Sequence, residues 1–232
     1  ADRNYSDFRF PVQYVNRPNL NFRGFCGTVA SGVVRKGDEI TILPSKKVSR
    51  VKSIVTFDEE IELAHAEMAI TLTLEDEIDV SRGDVITHSN NLPTSRNHFE
   101  ATVVWMTDSP LLPGKSYDLK INSSTVTAQI KTIRNKIDVN NLKKLPAPAL
   151  ELNEIGLVEV SLDKSVCFDA YITNRATGSF IIVDQLTNAS VGAGMIDCEQ
   201  QQKIPRTEAH NVHVTKEERA SRYGQKPATV MF

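Results

Sequence analysis

At 232 residues, with 27 Lys plus Arg against 29 Asp plus Glu, the chain carries a net charge of −2 and is long enough to form two cores. That balance excludes the large basic excess of a chain built to coat nucleic acid or a membrane surface. Three cysteines, Cys26, Cys167 and Cys198, lie far apart and outside any CxxC spacing, which argues against a disulfide framework or a structural zinc and fits a reducing cytoplasm.

Residues 1–7 have no Met and no basic-then-apolar leader; they read as a polar connector from a preceding domain. No apolar run reaches the roughly 18 residues of a membrane helix. From Phe8 onward the apolar runs are short, β-branched and alternating: "EITILP" with Ile40 and Ile42, "AITLTLED" with Ile70, Leu72 and Leu74, "STVTAQIKTI" with Val126, Ala128 and Ile130. About fifteen such runs, each with one buried face, are separated by turns at Arg35–Asp38, Ser81–Asp84, Leu112–Lys115 and Asn174–Gly178. Many short strands with regular turns predict antiparallel Greek-key β-barrels rather than a doubly wound α/β sheet.

The polar stretch around Pro93 divides a first barrel, residues 8–92, from a second, residues 99–197, with 93–98 as linker. After Ile196 the alternation stops. Residues 198–226 read as a polar linker with six Lys or Arg against three Glu between Lys203 and Lys226. Within it Thr215 and Glu218 have capping-box spacing, so Lys216–Tyr223 reads as one short helix, and 227–232 as the first strand of a further domain.

Candidate chemistry is sparse. Asn135-Lys136-Ile137-Asp138 spells the NKxD box that recognises guanine, yet the chain has no GxxxxGK[ST] loop to cradle phosphate and no strand-borne DxxG to hold magnesium. Ile133, Ile137 and Val139 share one strand parity, so Asn135, Lys136 and Asp138 are read as a chance match within a barrel strand. His210 and His213 have ligand-like spacing without a third donor. Asp58-Glu59-Glu60 and Glu75-Asp76-Glu77 sit beside turns, as solvated loop charge does. The densest basic cluster is Lys131, Arg134, Lys136, Lys143 and Lys144, by default a solvated hairpin face and otherwise a seat for an acidic partner or a phosphate. No catalytic residue, cofactor or metal site is expected in this region. The glycines are expected to be structural: Gly27, Gly32, Gly37, Gly83, Gly114, Gly192 and Gly194 punctuate bends and tight turns.

"GTVASGVVRKGDEITIL" and "AITLTLEDEIDVSRGDVI" resemble the second domain of elongation-factor-Tu-like GTPases, and "PLLPGKSYDLKI" with "VGAGMI" resembles the third. More narrowly, "FRFPVQYVNRPNLNFRGFCGTVASG", "ATVVWM" and "NRATGSFIIVDQLTNASVGAGMI" resemble the large, GTPase subunit of bacterial sulfate adenylyltransferase. "VTKEERASRYGQKPATVMF" is similar to the segment leading into a fused adenylylsulfate kinase. The resemblance implies a region between a GTPase domain and a kinase, in a protein that uses GTP, ATP and magnesium to turn ATP and sulfate into adenylylsulfate and diphosphate. It implies barrels without an active site that dock their own GTPase and kinase domains and a catalytic small subunit. Glu67 departs from it, since members usually carry glycine at that turn. Two other readings stay open: tRNA-binding barrels of a translation factor, for which no basic groove is visible, and a freestanding interaction module.

Overall fold

A computed structural model describes residues 4–19 and 22–197. The expected helix at Lys216–Tyr223, the strand at 227–232, His210, His213 and Cys198 lie outside the described residues. Within them the chain is all β, as its alternation predicts, and no helix is long and apolar enough to cross a membrane.

The first barrel holds β1 (Arg9–Pro11), β2 (Tyr14–Asn19), β3 (Phe22–Thr28), β4 (Val33–Arg35), β5 (Glu39–Leu43), β6 (Lys47–Val55), β7 (Glu60–Ile61), β8 (Leu63–His65), β9 (Ala69–Leu74) and β10 (Val85–His88). Its strand order is β1-β10-β5-β6-β9-β3-β2, with β7 paired to β6 and a separate β4-β8 ribbon. The β1 side closes back on β3: the Gln13 N–H, just beyond β1, donates to the Cys26 carbonyl at 2.9 Å, and Arg9 bridges Ser31 beyond the end of β3. Inward parity places Phe8, Phe10, Phe25, Ile40, Ile42, Ile54 and Leu72 in a solvent-free core.

The second barrel holds β11 (Thr94–Trp105), β12 (Ser116–Ile121), β13 (Ser124–Ile137), β14 (Lys144–Leu145), β15 (Ile155–Phe168), β16 (Ser179–Val183) and β17 (Ser190–Asp197). It closes as β12-β16-β17-β11-β15-β13 and back to β12, with β14 hooked onto β13, so no edge of this six-strand cycle is left open. Phe99, Trp105, Tyr117, Phe168 and Phe180 fill it, and Phe99 contacts both Phe168 and Phe180 with ring centroids 5.1 and 5.5 Å apart. Gly194 lies directly over Phe180: a Cβ there would come within 2.2 Å of the ring.

Two expectations about local structure are corrected. The stretch 93–98 is not a linker beyond Pro93, because β11 begins at Thr94 and pairs Thr94, Ser95 and Arg96 with Phe168, Cys167 and Val166 before a register shift ahead of His98. Ladder hydrogen bonds are made by backbone and ignore side-chain polarity, so the far end of β15 holds this polar segment in strand form. Val139 does not share a strand face with Ile133 and Ile137: β13 ends at Ile137, register shifts interrupt it on both sides of Thr132 and Ile133, and Val139 is exposed in the turn beyond.

β5 also departs from simple alternation. Thr41 and Leu43 are buried along with Ile40 and Ile42. Their outer face is covered: the Thr41 hydroxyl donates to Ser89 Oγ at 3.0 Å, and Leu43 and Val85 pack on Cys167 of the second barrel.

Gly37, Gly83 and Gly114 have φ of 83°, 100° and 88°, and Glu67 has φ of 74°. The Glu67 turn is held by its N–H on the Val29 carbonyl at 2.8 Å. A side chain in the left-handed region costs about 1 kcal/mol relative to glycine. Glu67→Gly is therefore expected to raise stability by up to about 1 kcal/mol, a rise of roughly 2–4 °C in Tm, readable by thermal denaturation. A fall in Tm would show that the glutamate's own contacts outweigh the relieved strain.

Candidate functional site

The most elaborate polar arrangement lies where the two barrels meet. Arg9 alternates with the inward Phe8 and Phe10, so its side chain leaves the first core, yet it is only 2 % exposed because the 169–177 segment of the second barrel covers it. All five guanidinium N–H groups find acceptors. Nε and Nη2 grip Asp169 Oδ2 and Oδ1 at 2.9 and 3.0 Å; Nη1 donates to the carbonyls of Phe8 and Asn91 at 3.0 and 2.9 Å; Nη2 also reaches Asn91 Oδ1 at 3.1 Å. This planar, bidentate geometry is what arginine supplies and lysine cannot.

Further bonds extend the pair into a network. Thr177 Oγ1 donates to Asp169 Oδ2 at 2.7 Å, and Asn174 Nδ2 donates to Ser31 Oγ at 2.7 Å, whose hydroxyl in turn donates to the Asp7 carbonyl at 2.5 Å. The Asn91 amide donates to Asp7 Oδ1. Asn4 Nδ2 reaches both Asp7 Oδ2 at 2.6 Å and the Thr173 carbonyl at 3.2 Å. That Asn4 bond holds the Asp7 carboxyl below the usual range, against the opposing effect of burial. A second contact lies along the same seam, where Ser124 Oγ donates to the Gly83 carbonyl at 3.2 Å. Beside it is a crevice of about 120 Å³ lined by Pro44, Asp84, Asn122 and Cys167, where burial pushes the Asp84 carboxyl and the Cys167 thiol up.

The arrangement locks one barrel to the other; it presents no nucleophile and base aimed at an open pocket. Arg9, Asp169, Asn91 and Asp7 escaped sequence reading, because a strand pattern tells which residues point outward and not which outward face another barrel covers. Asn174 and Thr177 belong to the distinctive "NRATGSF" run, and that run was the available signal.

The other candidates lie apart from the junction. Lys136 Nζ pairs with Glu154 at 2.5 Å, and Asp138 accepts from the Asn140 N–H and the Asn141 amide at 2.9 and 2.8 Å, so Lys136 and Asp138 are engaged locally at the end of β13, where Asn135 pairs with Leu157 of β15. Arg134 is held by Glu100 and Glu159 at 3.2 and 3.1 Å. Asp58 and Glu59 are exposed loop residues, and Glu60 pairs with Lys36 at 2.8 Å. Glu75, Asp76 and Glu77 rim an open recess of about 360 Å³ with Arg17, Arg23 and Lys52. Among the described residues no three His, Cys, Asp or Glu side chains converge as a metal site would require. Gly27 lies against the Pro11 carbonyl, Gly32 against the Phe8 backbone and Gly192 against Trp105.

Residues 26–87 match the family model for elongation factor Tu domain 2, and residues 98–197 match the GTP-eEF1A C-terminal domain-like model. Along its whole length the chain is 52 % identical to the bifunctional enzyme CysN/CysC of Rhodopirellula baltica, covering 38 % of that protein. Over 90 % of its length it is 56 % identical to sulfate adenylyltransferase subunit 1 of Shewanella woodyi, covering 44 % of that protein. The chain thus spans less than half of these relatives. Two solved structures share the fold at low identity. Sup35 complexed with GDP has a TM-score of 0.75 at 18 % identity, over 84 % of this chain and 48 % of that one. The apo form of translation elongation factor SelB from Methanococcus maripaludis has a TM-score of 0.68 at 19 %, over 85 % of this chain and 44 % of that one.

Proposed function

Because the chain belongs to the family of sulfate adenylyltransferase subunit 1 and CysN/CysC proteins, carrying its elongation-factor-Tu-type pair of barrels, we propose that it is the non-catalytic body of such a subunit. The whole protein would serve cytoplasmic sulfate assimilation, in which ATP and sulfate give adenylylsulfate and diphosphate, GTP hydrolysis drives that step, and a fused kinase acts on the product. GTP, ATP and magnesium belong, on this reading, to other domains and to the small subunit. The barrels dock the GTPase domain and the catalytic small subunit, and they carry a change of nucleotide state from one to the other as a single rigid piece.

The observation that supports this reading is the buried Arg9–Asp169 clamp with Asn91 and Thr177: Arg9 lies in the family-like run "FRFPVQ", and Asp169, five residues ahead of "NRATGSF", is held by Thr177 of that run. A body that relays a nucleotide state needs contacts whose energy differs between states, and it needs to resist bending between them. An arginine donating through all five N–H groups at the junction of the barrels supports that resistance. The competing tRNA-binding reading has less support, since Arg134 and Lys136 are paired with glutamates and only Lys131, Lys143 and Lys144 of the basic cluster are left without an ion pair among the described residues.

Two measurements check the proposal. The chain is expected to compete with full-length subunit 1 for the small subunit and to lower GTP-stimulated adenylylsulfate synthesis as its concentration rises; no competition at about 100-fold excess sinks the docking role. By calorimetry the chain is expected to show no saturable GTP binding with magnesium present, since it lacks a phosphate loop. Micromolar binding that Asp138→Ala abolishes would overturn the reading of the NKxD letters as incidental.

A further inference from the structure

Two tight turns, one from each barrel, meet at the seam crevice of about 120 Å³. In the first barrel Asp84 closes the turn that begins at Ser81: its Oδ2 accepts the Ser81 N–H at 2.9 Å, and its own N–H donates to the Ser81 carbonyl at 3.1 Å. In the second, Asn122 opens the two-residue turn between β12 and β13 with φ of 51°, a conformation that asparagine tolerates. The Ser124–Gly83 bond pins one turn to the other.

Each turn brings an acceptor that the fold leaves uncompensated. Asn122 Nδ2 donates to the Cys167 carbonyl at 2.8 Å, which fixes the amide's orientation and leaves Oδ1 buried without a donor. Buried acceptors nearly always have a donor, so an orphan of this kind is a place where water or a ligand supplies one. Asp84 is half-buried and makes no ion pair among the described residues, and burial pushes its carboxyl up. The cations stand apart from it. Arg82 and Lys164 line the crevice as exposed residues; Arg82 Nη1 donates to the Gln13 carbonyl at 3.1 Å, and neither side chain pairs with an acid among the described residues. Ile121 and Cys167, both buried, add an apolar wall.

Acceptors within, cations at the mouth and an apolar wall match a small zwitterion, with an ammonium at one end and a carboxylate at the other. Volume limits its size: about 120 Å³ is the liquid-state share of roughly four waters, room for about five or six heavy atoms. We propose that the crevice binds a small α-amino acid such as glycine or alanine, its ammonium on Asp84 and Asn122 Oδ1 and its carboxylate between Arg82 and Lys164. Water fits the same space but leaves Asp84 without a counter-charge. A divalent cation would find one carboxylate and one amide oxygen beside two cations, too few ligands to hold it. Asp84 and Asn122 belong to different barrels, so a ligand that touches both favours the docked arrangement of the pair. This site stands independently of any docking partner.

The test is calorimetric titration of the full chain with glycine and L-alanine, with acetate and methylamine as half-ligands and L-leucine as an oversized one. Glycine and alanine are expected to bind with a millimolar or tighter Kd and to raise Tm by several degrees at saturation. Each half-ligand is expected to bind about tenfold or more weakly, and leucine not at all. Asp84→Asn keeps the turn's shape and removes the charge: affinity is expected to fall about tenfold or more, with the ligand-free Tm unchanged or higher because a half-buried unpaired charge has gone. Arg82→Gln with Lys164→Gln, at exposed positions, is expected to weaken glycine by a similar factor and to leave methylamine unchanged. No saturable glycine binding up to about 100 mM, or binding that Asp84→Asn retains, overturns the site. Methylamine that binds as tightly as glycine overturns the amino-acid assignment in favour of a plain ammonium, and acetate that does so overturns it in favour of an anion.

Discussion

Asp169→Ala is expected to cost about 3–5 kcal/mol of stability, because removing one partner of a buried ion pair leaves the other charge uncompensated. The side chains of Arg9 and Asp169 are 3 % and 9 % exposed, so water cannot take over the lost bonds. The substitution orphans the guanidinium Nε–H, one Nη2–H and the Thr177 hydroxyl together. Replacing both partners by apolar residues, Arg9→Met with Asp169→Leu, is expected to recover part of the loss, since no buried charge then remains. Chemical denaturation followed by two probes checks this. Trp105 is the single tryptophan and is buried in the second barrel, so its fluorescence reports that barrel, whereas far-ultraviolet circular dichroism reports both. In the native chain the two transitions are expected to coincide; in Asp169→Ala they are expected to separate as the barrels uncouple. A loss below about 1 kcal/mol, the range of exposed pairs, would show that the clamp is not dry.

Strand content and turns were legible because local chemistry determines them. Ile70, Leu72 and Leu74 face inward at every second position, and Gly37, Gly83 and Gly114 stand at positive φ where turns were expected. The junction was not legible, for a physical reason. Alternation marks Arg9 as an outward residue, and nothing near it in sequence reveals that Asp169, 160 residues away, will cover it. The same blindness hid the burial of Thr41 and Leu43 and the extension of β11 back to Thr94, both imposed by non-local strand and barrel packing. The basic cluster was read from composition as one face. The structure divides it: Arg134 and Lys136 on β13 are paired with glutamates, Lys131 of the same strand donates to Gln129 Oε1 instead, and Lys143 and Lys144 beyond the strand make no ion pair among the described residues.

Gly32→Ala is expected to be damaging twice over. Gly32 has φ of 77°, and a Cβ there would lie 2.4 Å from both the Cα and the N of Phe8. The left-handed conformation costs alanine about 1–2 kcal/mol, and forcing a methyl against packed backbone adds about 1–3 kcal/mol, so a total near 3 kcal/mol is expected. The clash also has a direction. Phe8 cannot yield without moving Asp7 and Arg9, and the Gly32 N–H already holds the Asn4 carbonyl at 2.7 Å while Ser31 Oγ holds the Asp7 carbonyl. The displaced backbone therefore carries the Arg9 guanidinium away from Asp169, so a turn glycine of the first barrel governs the grip on the second. Two sites that act through one clamp are not independent. Gly32→Ala combined with Asp169→Ala is accordingly expected to cost less than the sum of the single changes, by about 1 kcal/mol or more in a denaturation cycle. Strict additivity would mean that the chain relieves the Gly32 clash within the first barrel and that the clamp is set by β1 alone.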